Sequence, residues 1–508
     1  MYALTGRGMQ YIDEYTISAG IPSPVLMENA SRGVADAVAK RFPDKETRIL
    51  VVSGVGNNGG DAICATRWLM HMGYKNIKIF FTGTVAKASP EFSRQVTILA
   101  KAYDSISMTG LYGSSDISVL RNEYDVIIDG MFGIGLNRSL DDSLAKIVEY
   151  INLKKSYRVA VDIPSGLNST TGQVMGGAIR ADLTVTFGSY KTGMLFGEGR
   201  THCGSIEVVD IGLLESAYDN VTDKIEVCDD AFFEETAADA LLERNETGHK
   251  GTFGTVGIVV SSNGMLGASM LASKAAYRAG CGLVKIFCPL KYVGFFNVSI
   301  PEAVVVPYKP DNMNRAFEEF ANRTDVFLIG PGLKEDDMGK ELVKEVLQGE
   351  TPAVLDAGAL NIIAKNLKMF RKRKCKCVIT PHLGEMAKLT ANDLELVAKN
   401  RIGYTKSFSE KYKVSMVVKS DISLISIYDD EHGLQDLYVN ITGNSGLATA
   451  GSGDVLAGVI ASLIAQGNTL DTSLLYGVMI HGRAGEKFAK DQDSKRKMMA
   501  GDIIDNLF

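Results

Sequence analysis

The sequence predicts two α/β domains in succession, each built on a parallel sheet covered by helices. Three observations carry that expectation. The chain has 508 residues, too many for one hydrophobic core, which stops growing at roughly 250–300 residues. Short, continuously apolar runs alternate with helical stretches, the pattern of parallel strands buried on both faces. These runs form two series, separated by an acidic stretch at 214–247 with little strand signal. A boundary near residue 225 follows, giving domains 1–224 and 225–508.

The elements run in order as follows. Residues 23–41 have helical spacing, with Ser23 as N-cap, Pro24 in the first turn, and Leu26, Ala30, Val34, Ala37 and Val38 on one face. Strands are expected at 49–52, 77–81, 126–128, 159–161 and 183–187, with helical stretches between them. The second series places strands at 256–260, 283–287, 326–329, 353–355, 377–379 and 415–418, then an apolar helix from Val455 to Ile464. Arg371–Lys374 is the one basic run, and it has the character of a solvated turn before a strand.

The bulk composition excludes several function classes. Hydrophobic residues make up 45% and charged residues 22%, which is ordinary for a soluble globular chain. A net charge of −6, spread along the chain, lacks the basic stripe that nucleic acid requires. The cysteines at 64, 203, 228, 281, 288, 375 and 377 have neither zinc spacing nor a disulfide framework. Reduced thiols and a cytoplasmic location are expected. The first residues lack an apolar signal core, and no apolar run is long enough for a bilayer.

In the first half, the strand at 49–52 runs into Gly54-Val55-Gly56-Asn57-Asn58-Gly59-Gly60-Asp61 and then a helix. G-x-G-x-x-G at such a turn suggests phosphate held by backbone N–H groups in a Rossmann-like doubly wound sheet. An NAD dehydrogenase would also need an acidic residue closing the second strand, which instead ends Phe80-Phe81-Thr82. Two more strands end in polar loops, 129–138 and 162–168. Loops at the carboxyl ends of such strands converge on one crevice. Asn58, Asp129 and Ser165 could offer oxygens to a hard cation, and Gly133 to Arg138 could hold an anionic group.

"LMENA" (26–30), "VGNNGGDA" (55–62), "DGMFGIGLNR" (129–138) and "VDIPSGLNSTTG" (161–172) resemble the YjeF N-terminal domain, the NAD(P)H-hydrate epimerase family, over nearly all of residues 1–215. The resemblance implies that Asn57, Asn58, Gly59, Gly60 and Asp61 contact the hydrated cofactor. Gly133, Ile134, Gly135, Leu136, Asn137, Arg138, Ser139 and Asp162 are implied to do the same. Asn58, Asp129 and Ser165 would bind potassium. Inverting the hydroxyl-bearing carbon of the reduced nicotinamide ring requires proton movement, a task that suits a carboxylate. Asp162 is the candidate, with Lys191 as its partner.

In the second half, small residues from Thr442 lead through Gly451-Ser452-Gly453-Asp454 into the apolar helix. Backbone N–H groups at a helix start suit a developing phosphate charge, and a carboxylate there can take a proton from a hydroxyl being phosphorylated. The segment resembles the anion hole and catalytic Asp of the ribokinase-like superfamily. "GHKGTFGTVGIV" (248–259), "GASMLASKAAYRAGCGLV" (267–284), "IGPGL" (329–333), "LDAGALN" (355–361), "TPHLGEM" (380–386) and "VVKSDIS" (417–423) follow the ADP-dependent NAD(P)H-hydrate dehydratase family in order.

By that resemblance Ala268, Gly332, His382 and Asp454 face the hydrated cofactor, with Asp454 as the catalytic base. Lys419, Ser420, Asp421, Ile422 and Ser423 would hold ADP or ATP. So would Gly443, Asn444, Ser445, Gly446, Leu447, Ala448, Thr449, Ala450, Gly451, Ser452 and Gly453, with magnesium on the phosphates. Leu383 stands where the family usually has proline, and Ser420 where it often has glycine.

The implied partners are the hydrated cofactors NADHX and NADPHX and an adenine nucleotide. No nucleic acid and no membrane is expected, and the expected assembly is a homo-oligomer. Two other readings share some of these features. One is a ribokinase-like small-molecule kinase fused to an α/β ligand-binding domain, which shares "GSGD" but not the "HLGEM" and "GNNGGD" loops together. The other makes the N-terminal half a non-enzymatic binding module.

Overall fold

The computed structural model describes residues 1–103, 106–111, 120–244, 246–261, 264–429, 433 and 435–508. It divides into two compact units, Tyr2–Ile225, and Glu226–Phe508 together with Met1. Both have the expected α/β class.

The first unit is a seven-stranded parallel sheet. Its strands are β1 (Ile49–Ser53), β2 (Ile77–Thr82), β3 (Ser107–Leu111), β4 (Val126–Gly130), β5 (Tyr157–Val161), β6 (Leu183–Phe187) and β7 (Ser205–Val209). The spatial order is β3-β2-β1-β4-β5-β6-β7. The chain starts in the middle, runs to one edge, and returns to the middle. That doubly wound order opens a crevice between the carboxyl ends of β1 and β4. Both strands are buried along their full length, which is why they read as continuous apolar runs.

One core covers each face of this sheet. On one side Ala30, Val34 and Val38 pack with Ile49, Val51 and Ile128, and on the other Leu50, Val52 and Ile127 pack with Ile147 and Ile151. The helix Ser23–Arg41 has the expected bounds, but its cap is not Ser23. Pro22 is the cap, and Ser23 is inside the helix with its Oγ donating to Glu91 Oε1 at 2.8 Å.

The second unit's strands are β8 (Ile225–Cys228), β9 (Thr255–Val259), β10 (Leu283–Pro289), β11 (Val304–Tyr308), β12 (Val326–Ile329), β13 (Ala353–Leu355), β14 (Cys377–Ile379), β15 (Ser415–Val418), β16 (Ser423–Tyr428) and β17 (Gln435–Asn440). They are ordered β11-β10-β9-β12-β13-β14-β15-β16-β17-β8. The sheet is parallel from β11 to β15. It then turns antiparallel through β16 and β17. The helices Leu266–Arg278 and Ser452–Ala465 share one core, in which Ala272 and Ala276 lie with Val455, Val459 and Ile460.

The acidic stretch 214–247 is more structured than its composition suggests. It holds β8 and the helix Asp230–Ala240, capped by Asp229 accepting from Phe232 N at 2.8 Å. Phe232 and Phe233 anchor that helix against Tyr476. All seven cysteines are free and buried. Among the described residues no helix is long and apolar enough to cross a membrane.

Candidate active sites

In the first unit the three polar loops meet at the carboxyl ends of β1, β4 and β5. Gly54 is required by contact, because a Cβ there would lie 2.0 Å from the carbonyl oxygen of Met131. Asn57–Asp61 form the first turn of the helix Asn57–His71, whose cap residue Gly56 supplies no side-chain acceptor. Gly60 N donates to Gly56 O at 3.0 Å, and the N–H groups ahead of it in the turn have no intrahelical acceptor, as at any helix start, which suits an anion.

Asp129 closes β4 at 0% exposure. Its Oδ1 accepts from Ser165 Oγ at 2.6 Å and Met131 N at 3.2 Å, and its Oδ2 from Ser165 N at 2.8 Å. Ser165 Oγ in turn accepts from Phe132 N at 2.8 Å. Burial pushes the Asp129 carboxyl up to about 6, against the pull of those hydrogen bonds, and no cationic side chain contributes. A buried carboxylate without a counter-charge is costly. The amide Nδ2 of Asn58 is also buried without a partner. Oxygen donors bearing one formal charge fit a weakly held monovalent cation.

Asp162 begins the third loop in a left-handed conformation, φ 66°. Its Oδ1 accepts from Thr186 Oγ1 at 3.2 Å, Phe187 N at 3.3 Å, and Lys191 Nζ. Lys191 is 1% exposed, and its ammonium also donates to Thr186 Oγ1 at 2.8 Å and Phe187 O at 3.0 Å. All three ammonium protons are thereby spent, one on the carboxylate and one on the Thr186 hydroxyl that also donates to it. Lys191 is placed to orient Asp162, whose Oδ2 has no donor among the described residues.

Two further carboxyls share this field. Burial, then the charges of Asp162 and Asp13, hold Asp61 well above the ordinary carboxylate range. Burial raises Asp13 to about 6, with Lys191 opposing and Asp162 adding. Asp13 is the site residue that the sequence reading missed. It lies on the helix Gly6–Ser18, whose Met9 and Ile12 pack with Ile134 of the 133–139 loop, and whose Gly6 N donates to Thr170 Oγ1 at 2.9 Å. Its signal was faint, an acid at the margin of the buried stripe Met9, Ile12, Thr16. In the 133–139 loop, Leu136 is buried in the core, so only its backbone can meet a ligand. Gly135, Asn137, Arg138 and Ser139 are exposed.

In the second unit Lys419 is the hub. Its Nζ donates to Asp356 Oδ1 at 2.7 Å, and that oxygen also accepts from Thr380 Oγ1 at 2.8 Å. A Cβ on Gly453 would lie 3.1 Å from Lys419 Nζ, so glycine lets the ammonium rest against the first turn of the helix Ser452–Ala465. Lys419 N donates to Pro381 O at 2.8 Å, which brings His382 alongside.

His382 Nδ1 accepts from Gly384 N at 2.9 Å and Glu385 N at 3.3 Å, and Glu385 Oε2 accepts from His382 N at 2.9 Å. This is a capping box on the helix Leu383–Thr390. Leu383 is the first helical residue, a position that tolerates proline because its N–H needs no partner, so the departure leaves the cap intact.

Asp454 accepts no hydrogen bond among the described residues. Burial raises it to about 6, followed by the charge of Asp356, while Lys419 opposes. Burial and Asp356 likewise raise Glu385. Asp356 and Glu385 are thus site carboxylates that the sequence reading passed over.

The remaining predicted residues gather nearby. Gly332 abuts Ser269, the neighbour of Ala268, and Gly451 abuts Leu271 on the same helix. Gly443 N donates to Glu486 Oε1 at 2.8 Å, and Asn444 Nδ2 to Gly485 O at 2.8 Å. Ile422 is buried and Lys419 half-buried, while Ser420 and Asp421 are exposed, Asp421 pairing with Arg401 and accepting from Ser420 Oγ at 2.8 Å. Ser423 is already the first residue of β16.

Both units resemble known proteins. Residues 256–507 match the NAD(P)H-hydrate dehydratase family, and residues 23–193 match the YjeF-related protein N-terminus. The bifunctional NAD(P)H-hydrate repair enzyme of Moorella thermoacetica is 34% identical, across 100% of this chain and 96% of its own. That of Escherichia coli is 30% identical, across 95% and 88%. The crystal structure of an ADP/ATP-dependent NAD(P)H-hydrate dehydratase from Bacillus subtilis, co-crystallized with ATP and magnesium, is 28% identical with a TM-score of 0.47, covering 54% of this chain and 94% of that one. The chain belongs to the family of bifunctional NAD(P)H-hydrate repair enzymes.

Proposed function

We propose that the first unit interconverts the R and S epimers of hydrated NADH and NADPH, and that the second dehydrates the S epimer at the expense of ADP or ATP. The observation that carries the reading is Asp454, an unpartnered carboxyl at a helix start, beside Lys419. The kinase alternative would use the same base. Only the repair reading accounts for the Asp162–Lys191 pair and the Asp129 pocket in the same chain.

In the second unit Asp454 takes the proton of the ring hydroxyl as that oxygen attacks the terminal phosphorus of the nucleotide. The shortened nucleotide leaves, and Lys419 and the first-turn N–H groups hold the transferring charge. The ring nitrogen then expels phosphate, and loss of the adjacent ring proton restores the dihydropyridine. Magnesium on the phosphates would lower the charge that these residues must hold. Asp356 Oδ2 and Glu385 Oε1 have no hydrogen-bond donor among the described residues, and one or two carboxylates beside phosphates suit that ion. Ala268, Gly332 and His382 would bind the hydrated ring.

In the first unit Asp162 Oδ2 moves the proton that inversion requires. Asn57–Asp61 and Gly133–Ser139 would hold the hydrated cofactor, and Asn58, Asp129 and Ser165 would hold potassium.

The test is recovery of NADH absorbance from purified hydrate. Residues 226–508 alone should consume the S epimer with ADP and leave the R epimer to slow spontaneous interconversion. Rapid consumption of both epimers by this half would remove epimerisation from the first unit. The pH profile gives a second check. A base works only when ionised, so dehydration kcat/KM should rise with pH to half its maximum near 6, where Asp454 loses its proton. A profile flat from pH 5 to 8 would exclude Asp454 as the base.

A further inference from the structure

The helix Leu470–Asp491 carries one imidazole into the interior, His481, 8% exposed, which the chemistry above does not use. Its Nε2 lies 3.0 Å from the carbonyl oxygen of Ser452 and 3.2 Å from Ser452 Oγ. A carbonyl oxygen only accepts, so Nε2 carries a proton and donates it. Burial holds the imidazole down at about 4; the bond to Ser452 opposes this and the charge of Lys419 adds to it. The ring is therefore neutral near pH 7, with its single proton on Nε2. The hydroxyl of Ser452 meets that N–H as an acceptor, and its own proton stays free for another partner.

Ser452 is the first residue of the helix that carries Asp454. The other end of the Gly-rich loop is tied to the same supporting helix, through Glu486 to Gly443 N and through Gly485 O to Asn444 Nδ2. Residues 481 and 485 are one turn apart and share a face. One helix face therefore clamps the loop at both ends.

We infer that His481 is a positioning residue for nucleotide-dependent dehydration, holding Ser452 so that its hydroxyl and the first-turn N–H groups align on the transferred phosphate. This rests on the proposed dehydration and adds to it a residue outside every motif read from the sequence.

The test compares H481F, which fills the volume without a donor, with H481Q, whose amide N–H can replace Nε2–H. The parent chain is assayed first with ADP and purified S epimer. A parent without activity would sink the dehydration reading itself and the inference with it. With an active parent, H481F should raise the KM for ADP roughly tenfold and lower kcat by a similar factor, about the value of one aligned hydrogen bond in each state. The KM for the S epimer and the rate of epimerisation should stay within twofold, and H481Q should recover most of the loss. An H481F chain with parent-like KM for ADP and kcat overturns the inference. So does an H481Q chain as impaired as H481F at equal melting temperature. If H481F does not fold, H481Q decides: parent-like ADP kinetics support the clamp, and a tenfold loss at parent-like melting temperature refutes it.

Discussion

Asp454→Asn should abolish nucleotide-dependent dehydration, with a loss of about 10²–10⁴-fold for a missing general base, and should leave epimerisation at the parent rate. The two effects separate because Asp454 and the epimerase loops lie in different units. Misfolding is not an alternative explanation, because Asp454 accepts no hydrogen bond among the described residues and the amide strands no donor. The substitution should even stabilise. An acid whose folded pKa is raised costs stability when ionised, and the cost is complete above the folded value of about 6. At pH 7.5 the variant should melt no lower than its parent, and the gap should shrink as pH falls through 6 and close below about 4. Dehydration within a factor of two of the parent would remove Asp454 from the mechanism, whatever the melting curves show.

The contrast between Asp454 and its neighbours explains how far the sequence could be read. Asp454 follows a run of small residues at a helix start, where few structural roles compete for a carboxylate. Asp356 and Glu385 share the charge field of Lys419, but each occupies an ordinary capping position, before the helix Ala357–Lys365 and at the third residue of a capping box. A carboxylate there has a local reason to exist, and that reason hides a second one. Asp13 and His481 were hidden by distance along the chain. Nothing near Asp13 announces Asp162, and nothing near His481 announces Ser452, because only the fold brings each pair together.

The same physics governs the strands. β1, β4, β9 and β12 are buried on both faces and read as apolar runs. β7 and β11 are partly exposed edge strands, β11 interrupted by Pro307, and β7, β16 and β17 mix polar with apolar residues, so these strands escape notice.

Asp129→Ala should slow epimerisation by roughly 10²-fold or more, the scale expected when a catalytic group is misplaced by about an ångström, and should leave dehydration of the S epimer unchanged. Asp129 touches no substrate directly in this account. It holds the loop of Ser165 to the end of β4 through two hydrogen bonds, and with a cation it would hold Asn58 as well. Losing it releases the loop that begins with Asp162. The role of the ion can be read without any assay of turnover. The folded pKa of Asp129 is raised from 3.8 to about 6, so the folded chain binds this proton more tightly than the unfolded chain does. Stability from this group is therefore fully present below about pH 4 and is lost as pH rises through 6, unless a cation neutralises the carboxylate. Potassium should accordingly raise the melting temperature of the parent at pH 7.5 far more than at pH 4.5. A bulky organic cation should do neither, and Asp129→Asn should abolish the potassium effect at both pH values. Unchanged epimerisation in Asp129→Ala, equal loss of both activities, or a potassium effect that survives in Asp129→Asn would each defeat the assignment of the ion to this pocket.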